Sequence, residues 1–305
     1  MEKTTEKSRA CPVCHSGFDK AKLFIEKNID SAKLSGFSFA SRKEPEYMNH
    51  RLVQCTNCDL VYVDQPPEED ELAHAYHVAD YDSSEEANDA AASYISAIKP
   101  TLAKLVKRQS ALEIGTGTGI FLECLSQEGF TKLVGVEPSS AAIAAAPESR
   151  RAWIQEGMFN ESDFTPESFD LICCFMTMEH VRDPNIIAHA VLRLLRPGGA
   201  FVTVTHDYRS PVNRLLGKRS PIIDIEHMQL FSKRSVRHLF ESAGYADVTV
   251  KAFVNTYSLR YWTRLAPLPR GIKSAVSGLL ASTGLDNVKL GVNVGNLVTA
   301  GFKRD

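Results

Sequence analysis

Ser110-Ala111-Leu112-Glu113-Ile114-Gly115-Thr116-Gly117-Thr118-Gly119-Ile120 is the stretch that decides the fold. A short apolar run reads as a strand, passes through three alternate glycines and enters a helix near Ile120. Glycines there let the backbone turn tightly and approach a ligand, with the polar N-terminus of a helix behind them. The dinucleotide fingerprint Gly-x-Gly-x-x-Gly is not met: Gly119 falls one residue early and Ile120 holds the expected glycine place. Glu137 ends the next predicted strand, at the distance of about 20 residues where an acid meets a ribose. A carboxylate in that position can accept both ribose hydroxyls, and Pro138 closes the strand behind it.

Outward from this turn, strand and helix alternate. Strand-like runs occur at Ala111–Ile114, Leu133–Val136, Phe169–Phe175 and Ala200–Thr205, with a weaker one at Ala152–Gln155. They are rich in the buried-type residues of parallel strands. Between them lies an alanine-rich helix at Ala141–Ala146, and Asp183-Pro184 starts another with Ile187, Ala190, Val191 and Leu194 as its stripe. Pro197-Gly198-Gly199 is read as the break that ends this helix. Ser232 caps a further helix with Val236, Leu239, Phe240 and Ala243 inward, and Gly244 ends it. The alternation predicts an α/β fold with a doubly wound, mostly parallel sheet. Val248–Val254 and Asn296–Phe302 read as an antiparallel pair at its edge. The stretch between them, 255–294, is an insert over the sheet's end, helical and loop-like from Tyr257 to Thr283 and interrupted by Pro267 and Pro269.

The seven cysteines fall into two groups. Cys124, Cys173 and Cys174 sit in apolar segments, as small buried hydrophobes do. Cys11-Pro12-Val13-Cys14 and Cys55-Thr56-Asn57-Cys58 have the spacing of two zinc knuckles, each offering two thiolates to one tetrahedral ion. Four thiolates leave no open position, so the predicted Zn2+ is structural, and His15 is expected to face solvent. Between the pairs, Leu23 with Ile25 and Phe37 with Phe39 are compatible with a β-ribbon. Residues 1–65 thus form a zinc-ribbon module. Residues 66–108 are expected to be a linker and helices covering the ligand site: Pro66-Pro67 and the acidic run Glu68–Glu71 mark a hinge and a helix start. Ala91, Tyr94, Ile95 and Ile98 share a helix face within Ser84–Val106, which Pro100 is expected to divide. Residues 109–305 form the ligand-binding domain.

Composition narrows the partners. A net charge of −2 gives no global basic field for nucleic acid. The polar start, Met1 to Arg9, lacks the apolar stretch of a signal peptide, and no run reaches the ~18 to 20 apolar residues of a membrane span. The expectation is a cytoplasmic protein with no membrane span and no disulfide framework. Its oligomeric state has no sequence signature.

Glu113-x-Gly115-x-Gly117-x-Gly119 resembles the first motif of class I S-adenosylmethionine-dependent methyltransferases, and Glu137 resembles their ribose-binding acid. Phe169-Asp170-Leu171-Ile172, Glu179-His180-Val181-x-Asp183-Pro184 and Leu195-Arg196-Pro197-Gly198-Gly199 follow in that family's order. The resemblance covers residues 110 to about 245 and implies the Rossmann-like methyltransferase fold, with S-adenosylmethionine as cofactor. It implies that Gly115, Thr116, Gly117 and Gly119 form the cofactor loop and that Glu113 organises the methionyl amine. Met158 and Phe159 would flank the adenine, although a methionine departs from the acid or amide often found there; core filling is the competing reading. Met176 would lie under the sulfonium.

With its ribbon, Pro66-Pro67, Tyr76 and Tyr81, the chain further resembles bacterial methyltransferases of sugars and secondary metabolites. That likeness implies a small polar acceptor, a sugar derivative or biosynthetic intermediate, and makes His227 of Asp224-Ile225-Glu226-His227-Met228 the general base. Glu226 would orient it or bind substrate. The competing reading of His227 is a helix-entry residue packed on the ribbon. His180, His206, Asp207, Tyr76 and Tyr81 are further candidates, and Arg209, Arg214, Lys218 and Arg219 form a basic loop that either holds an anionic acceptor or is merely solvated. Rival functions are an RNA methyltransferase with the ribbon as RNA clamp, and a non-catalytic ribbon interaction protein. The charge speaks against the first, the intact glycines and Glu137 against the second.

Overall fold

The computed structural model describes residues 8–35, 38–39, 46–81, 84–266 and 268–304. Three short strands come first: β1 (Ala21–Ile25), β2 (Leu52–Cys55) and β3 (Val61–Val63), paired antiparallel in that order. Leu23 and Ile25 lie in β1. Phe39 is in a turn rather than a strand, its ring edge-on to Tyr76 at 5.4 Å, while Phe37 and Pro267 fall outside the described residues. Two helices follow, α1 (Glu69–His77), with three acidic residues in its first turn, and α2 (Ser84–Leu102).

Pro100 does not divide α2, contrary to the sequence expectation. Its missing N–H removes a bond only near the helix end. Tyr94, Ile98 and Leu102 are buried at i, i+4 spacing on both sides of it, and this stripe holds the helix on the core.

Next come β4 (Ser110–Ile114), α3 (Ile120–Gln127), β5 (Lys132–Glu137), α4 (Ser140–Ala145), α5 (Glu148–Arg151), β6 (Ile154–Glu156), β7 (Phe169–Phe175), α6 (Pro184–Leu194) and β8 (Leu195–His206). Every residue of β4 and of β7 is buried, as in strands covered on both faces. The Asp183 carboxylate caps α6 by accepting from the amides of Asn185 and Ile186. The helix stops at Leu194, ahead of the proline expected to break it. Leu195 already pairs with Phe169, and Pro197-Gly198-Gly199 lies inside β8. Gly199 is needed there, because a Cβ would stand 2.9 Å from the Arg196 carbonyl oxygen.

The chain continues through α7 (Pro211–Leu216), β9 (Gln229–Leu230), α8 (Lys233–Ala243) and β10 (Ala246–Ala252). It ends with β11 (Asn255–Ser258), α9 (Leu259–Leu265), α10 (Arg270–Thr283), β12 (Lys289–Val292) and β13 (Asn296–Phe302). The main sheet runs β10-β13-β8-β7-β4-β5-β6. Strands β4 to β8 pair in parallel; β13 is antiparallel to β8, and β10 antiparallel to β13, which forms the expected edge. β11 and β12 pair antiparallel at the base of the insert, where sequence suggested only helix and loop. Each is four residues long, too short to declare itself without its distant partner.

A second sheet has the order β1-β2-β3-β9. Its last strand is only two residues long and comes from far along the chain, placing Tyr62 opposite Gln229 and Val61 opposite Leu230. The cysteine-bearing sheet is therefore completed by the segment that follows His227.

One buried carboxylate ties three strand starts together. Asp170 accepts from the amides of Gln109 (2.9 Å) and Ser110 (3.0 Å) and from the Arg196 guanidinium (2.9 Å). Charge-assisted bonds of this kind contribute about 1.5–3 kcal/mol when buried. Asp170→Asn should lower the unfolding free energy by about 1–3 kcal/mol in a urea titration. A change below about 0.5 kcal/mol would mean that water already screens the Arg196 pair.

Candidate active site

The ends of β4, β5, β7 and β8 open into one cavity of about 870 Å3. Ile114, Val136, Phe175 and His206 mark the four strand ends on its wall. At the β4 end the glycine turn has the predicted backbone. Gly115, Gly117 and Gly119 have φ of 75°, 57° and 70°, and Gly119 is the left-handed cap of α3. A Cβ on Gly115 would stand 2.3 Å from Thr177 Oγ1, so that position excludes a side chain on two grounds. The Val136 carbonyl fixes the turn by accepting from the amides of Gly115 and Thr116 (2.9 and 3.1 Å).

Two carboxylates converge on this turn. Glu137 accepts from the Gly117 amide at 2.7 Å and from the Ser139 amide at 2.9 Å. Burial raises its pKa above the ordinary glutamate value, and the two amides oppose that rise. Glu113, also buried, accepts from Thr116 Oγ1 at 2.5 Å. Thr116, Glu113, Glu137, Met158 and Met176 all line the cavity. Met158 is 37% exposed, which makes it a wall residue rather than core filling. Met176 has φ 51°, a left-handed conformation that costs a non-glycine residue energy and that clusters at functional sites. Phe159 also faces the cavity, its ring stacked on Phe164 at 6.1 Å.

The opposite end is lined with histidine. His227 is 6% exposed, with its ring 4.9 Å from that of His180 and 5.6 Å from that of His206. Its Nδ1 stands 2.7 Å from the Ile222 carbonyl oxygen. Only an N–H can make that bond, so the neutral ring keeps its lone pair on Nε2. Burial, and then the neighbouring His206, lowers the His227 pKa below the ordinary histidine value. Glu226 Oε2 lies 3.8 Å from His180 Nδ1, and the Tyr76 hydroxyl bonds both His180 Nδ1 (3.0 Å) and the Glu226 carbonyl (3.3 Å). Polar atoms of His180, Glu226 and His227 lie within 4.8 Å of one another.

Glu179, which the sequence offered only as part of the family motif and without a role of its own, organises this end. It is fully buried; Oε1 accepts from the His206 amide at 2.6 Å and lies 3.3 Å from His206 Nδ1. Its carbonyl accepts from the amides of Met228 (2.7 Å) and Gln229 (3.2 Å). The insert was expected over the sheet's end, but its part in the cavity was not: Tyr257, Tyr261 and Trp262 form part of the wall. Their close sequence spacing was the available signal.

Other candidates lie elsewhere. Asp207 does not line the cavity; its carboxylate accepts from the Arg209 amide at 2.9 Å and shapes the turn after β8. The Arg209 guanidinium pairs with Asp59 beside the cysteines. Arg214, Lys218 and Arg219 are exposed, the solvated alternative. Tyr81 does reach the cavity wall.

At the other face of the ribbon the four cysteine sulfurs gather. Cys11 Sγ lies 3.5 Å from Cys58 Sγ, and Cys14 Sγ 3.5 Å from Cys55 Sγ, all four within 4.8 Å and none in a disulfide. His15 is exposed, and its ring nitrogen lies 2.9 Å from Asn185 Nδ2.

A family profile described as a methyltransferase domain matches residues 83–250, more than half of the chain. The chain belongs to the class I S-adenosylmethionine-dependent methyltransferases. It is similar to the ubiquinone biosynthesis O-methyltransferase of Pectobacterium carotovorum, with 28% identity over 61% of this chain and 72% of that protein. It is 31% identical to the enzyme of the same name from Klebsiella pneumoniae over 36% of this chain, and so spans about half (48%) of that relative. Among solved structures, a possible histamine N-methyltransferase from Thermotoga maritima aligns with a TM-score of 0.49 and 22% identity, over 72% of this chain and 92% of that one. Phosphoethanolamine N-methyltransferase 2 of Haemonchus contortus, in complex with S-adenosylmethionine, aligns at 0.42 and 20%, over 68% and 53%.

For this methyltransferase, Gly115→Ala should weaken S-adenosylhomocysteine binding by about tenfold or more, because both φ and the Thr177 contact oppose a methyl group. Calorimetry is the measurement. Unchanged affinity would show that the turn shifts freely and that its present shape is not required.

Proposed function

We propose that the protein transfers a methyl group to an oxygen of a small polar acceptor, a sugar derivative or biosynthetic intermediate, with His227 as general base. The observation that carries this reading is the His227 ring: buried at the cavity end away from the glycine turn, held by Ile222 through Nδ1, and left with a basic Nε2. The names of the two bacterial relatives support oxygen as the accepting atom.

The residues present fit S-adenosylmethionine. The glycine turn is a cradle that a Cβ would fill, and the Glu137 carboxylate, anchored by two amides, keeps oxygen lone pairs for ribose hydroxyls. Gly115, Thr116, Gly117 and Gly119 would form the loop around it, Glu113 would organise the methionyl amine, Met158 would flank the adenine, and Met176 would lie beside the sulfur. When bound, the cofactor supplies a methyl carbon on positively charged sulfur, which leaves as a neutral thioether. His227 Nε2 takes the acceptor's hydroxyl proton as the new C–O bond forms, and the imidazolium later releases it to solvent. Glu179 fixes His206 behind this ring, and Glu226 with Tyr76 positions His180 beside it. Holding acceptor and methyl donor in line supplies much of the remaining rate.

Zn2+ is part of the same reading. A tetrahedral ion with Zn–S bonds of about 2.3 Å sets its sulfurs about 3.8 Å apart. The four cysteines already stand near that spacing. The ion's role is structural: it would staple β1, β2 and β3, whose small core supplies little stability of its own.

His227→Ala should lower kcat by about 10²–10⁴-fold with S-adenosylhomocysteine affinity nearly unchanged. Retention of more than about a tenth of kcat would move the base to His206 or His180. Since the base acts deprotonated, activity rises with pH through its pKa. Burial and then the neighbouring His206 lower that pKa, and the Glu179 and Asp224 carboxylates only partly oppose them, so the acid limb of kcat should lie below the ordinary histidine value of ~6.5. A limb centred above ~7 would assign the proton to another group.

Metal analysis should give about one zinc per chain. Cys55→Ser should lose the metal and loosen the first 65 residues while the main sheet stays folded. Full zinc content after that change would remove Cys55 from the ligand set.

A further inference from the structure

Large apolar side chains concentrate on the outer face of the insert between β10 and β13. Leu268, Ile272, Leu279, Leu285, Val288 and Leu290 are each at least 40% exposed, Leu279 as much as 65%. Along α10 none of residues 271–283 is buried. Ile272, Val276 and Leu279 recur at i, i+4 and i+7 and form one apolar stripe. A helix of this length, carrying Gly271 and Gly278, is marginal in water unless its apolar face is covered.

Charge selects the cover. The insert carries Arg260, Arg264, Arg270, Lys273 and Lys289 against a single carboxylate, Asp286, in a chain whose net charge is −2. Arg264 and Lys289 pair with Glu86 and Asp89, which ties the insert to α2. Lys273 follows Ile272 in the first turn of α10, and its ammonium donates to the Arg264 carbonyl at 2.6 Å, where it adds its charge to the join of α9 and α10. A two-fold contact between copies would set this cationic face against itself. An apolar stripe on an insert with an excess of cations matches instead a helix that lies in the headgroup region of an anionic bilayer. No described helix is long and apolar enough to cross one.

We propose that the insert, led by α10, is a docking surface for an anionic lipid bilayer, with Ile272, Val276 and Leu279 entering the headgroup layer. The inner side of the same insert carries Tyr257, Tyr261 and Trp262 on the cavity wall. The docked surface therefore adjoins the acceptor cavity. This inference stands apart from the identity of the acceptor and from the role of His227.

The test is sedimentation of the full chain with vesicles of phosphatidylcholine alone and of phosphatidylcholine mixed with phosphatidylglycerol. The protein should sediment with the mixed vesicles and be released by salt. The double change Ile272→Glu with Leu279→Glu should reduce binding by about tenfold or more, with S-adenosylhomocysteine affinity retained as the check on folding. Should that variant misfold, Arg270→Gln keeps the stripe, lowers the positive charge of the insert and should weaken binding to the mixed vesicles. Absence of wild-type sedimentation with mixed vesicles, or binding unchanged in a folded variant, would overturn the proposal. So would a wild-type dimer in light scattering that the double change converts to monomer, since the stripe would then cover itself.

Discussion

The structure depends on the hydrogen bonding of Met228 and Gln229. On one side their amides donate to the Glu179 carbonyl, and the Gln229 side chain donates to the carbonyls of Met178 and Val181. On the other, the Met228 carbonyl accepts from the Val63 amide and Gln229 stands opposite Tyr62 in the ribbon sheet. A stretch next to His227 is thereby held between the end of β7 and the edge of β3. All of these residues except the half-buried Val181 are buried, so each of the other bonds, if lost, would leave a polar atom without water to replace its partner. The histidine-lined end of the cavity inherits its geometry from this clamp rather than from any single side chain.

That clamp also explains what the sequence revealed and what it hid. The glycine turn, Glu137 and the two cysteine pairs were legible because their chemistry depends on spacing of a few residues. The order of the parallel strands followed from the alternation of apolar runs with capped helices such as the one begun by Asp183. By contrast β9, two residues long, carries no periodicity and exists only because β3 offers it an edge. Glu179 belongs to a family motif in the sequence, but its role shows only when the backbone brings His206 to it. Tyr257, Tyr261 and Trp262 looked like an irregular insert because their cavity lies on strands far away in the chain.

The mistaken break at Pro100 shows the same balance of local and distant forces. Local chemistry opposes proline in a helix, but near the C-terminal end only a little bonding is lost. Burial of Ile98 and Leu102 on the core outweighs it. At Pro197 the error had the opposite origin: pairing of Leu195 with Phe169 ended the helix before proline had any part in it.

The late arrival of β9 also bears on the order in which the chain matures as it leaves the ribosome. Cys11 to Cys58, with β1, β2 and β3, emerge before the main sheet and contain all four clustered sulfurs, so the cluster can assemble while the sheet is still unmade. The open edge of β3 then waits, a site where a foreign strand can pair. It is closed only when Gln229 and Leu230 emerge and the sheet beneath them has formed. The ribbon can thus begin to form before the main sheet and is completed only after most of it, and shielding of its edge during that interval falls to whatever accompanies the nascent chain.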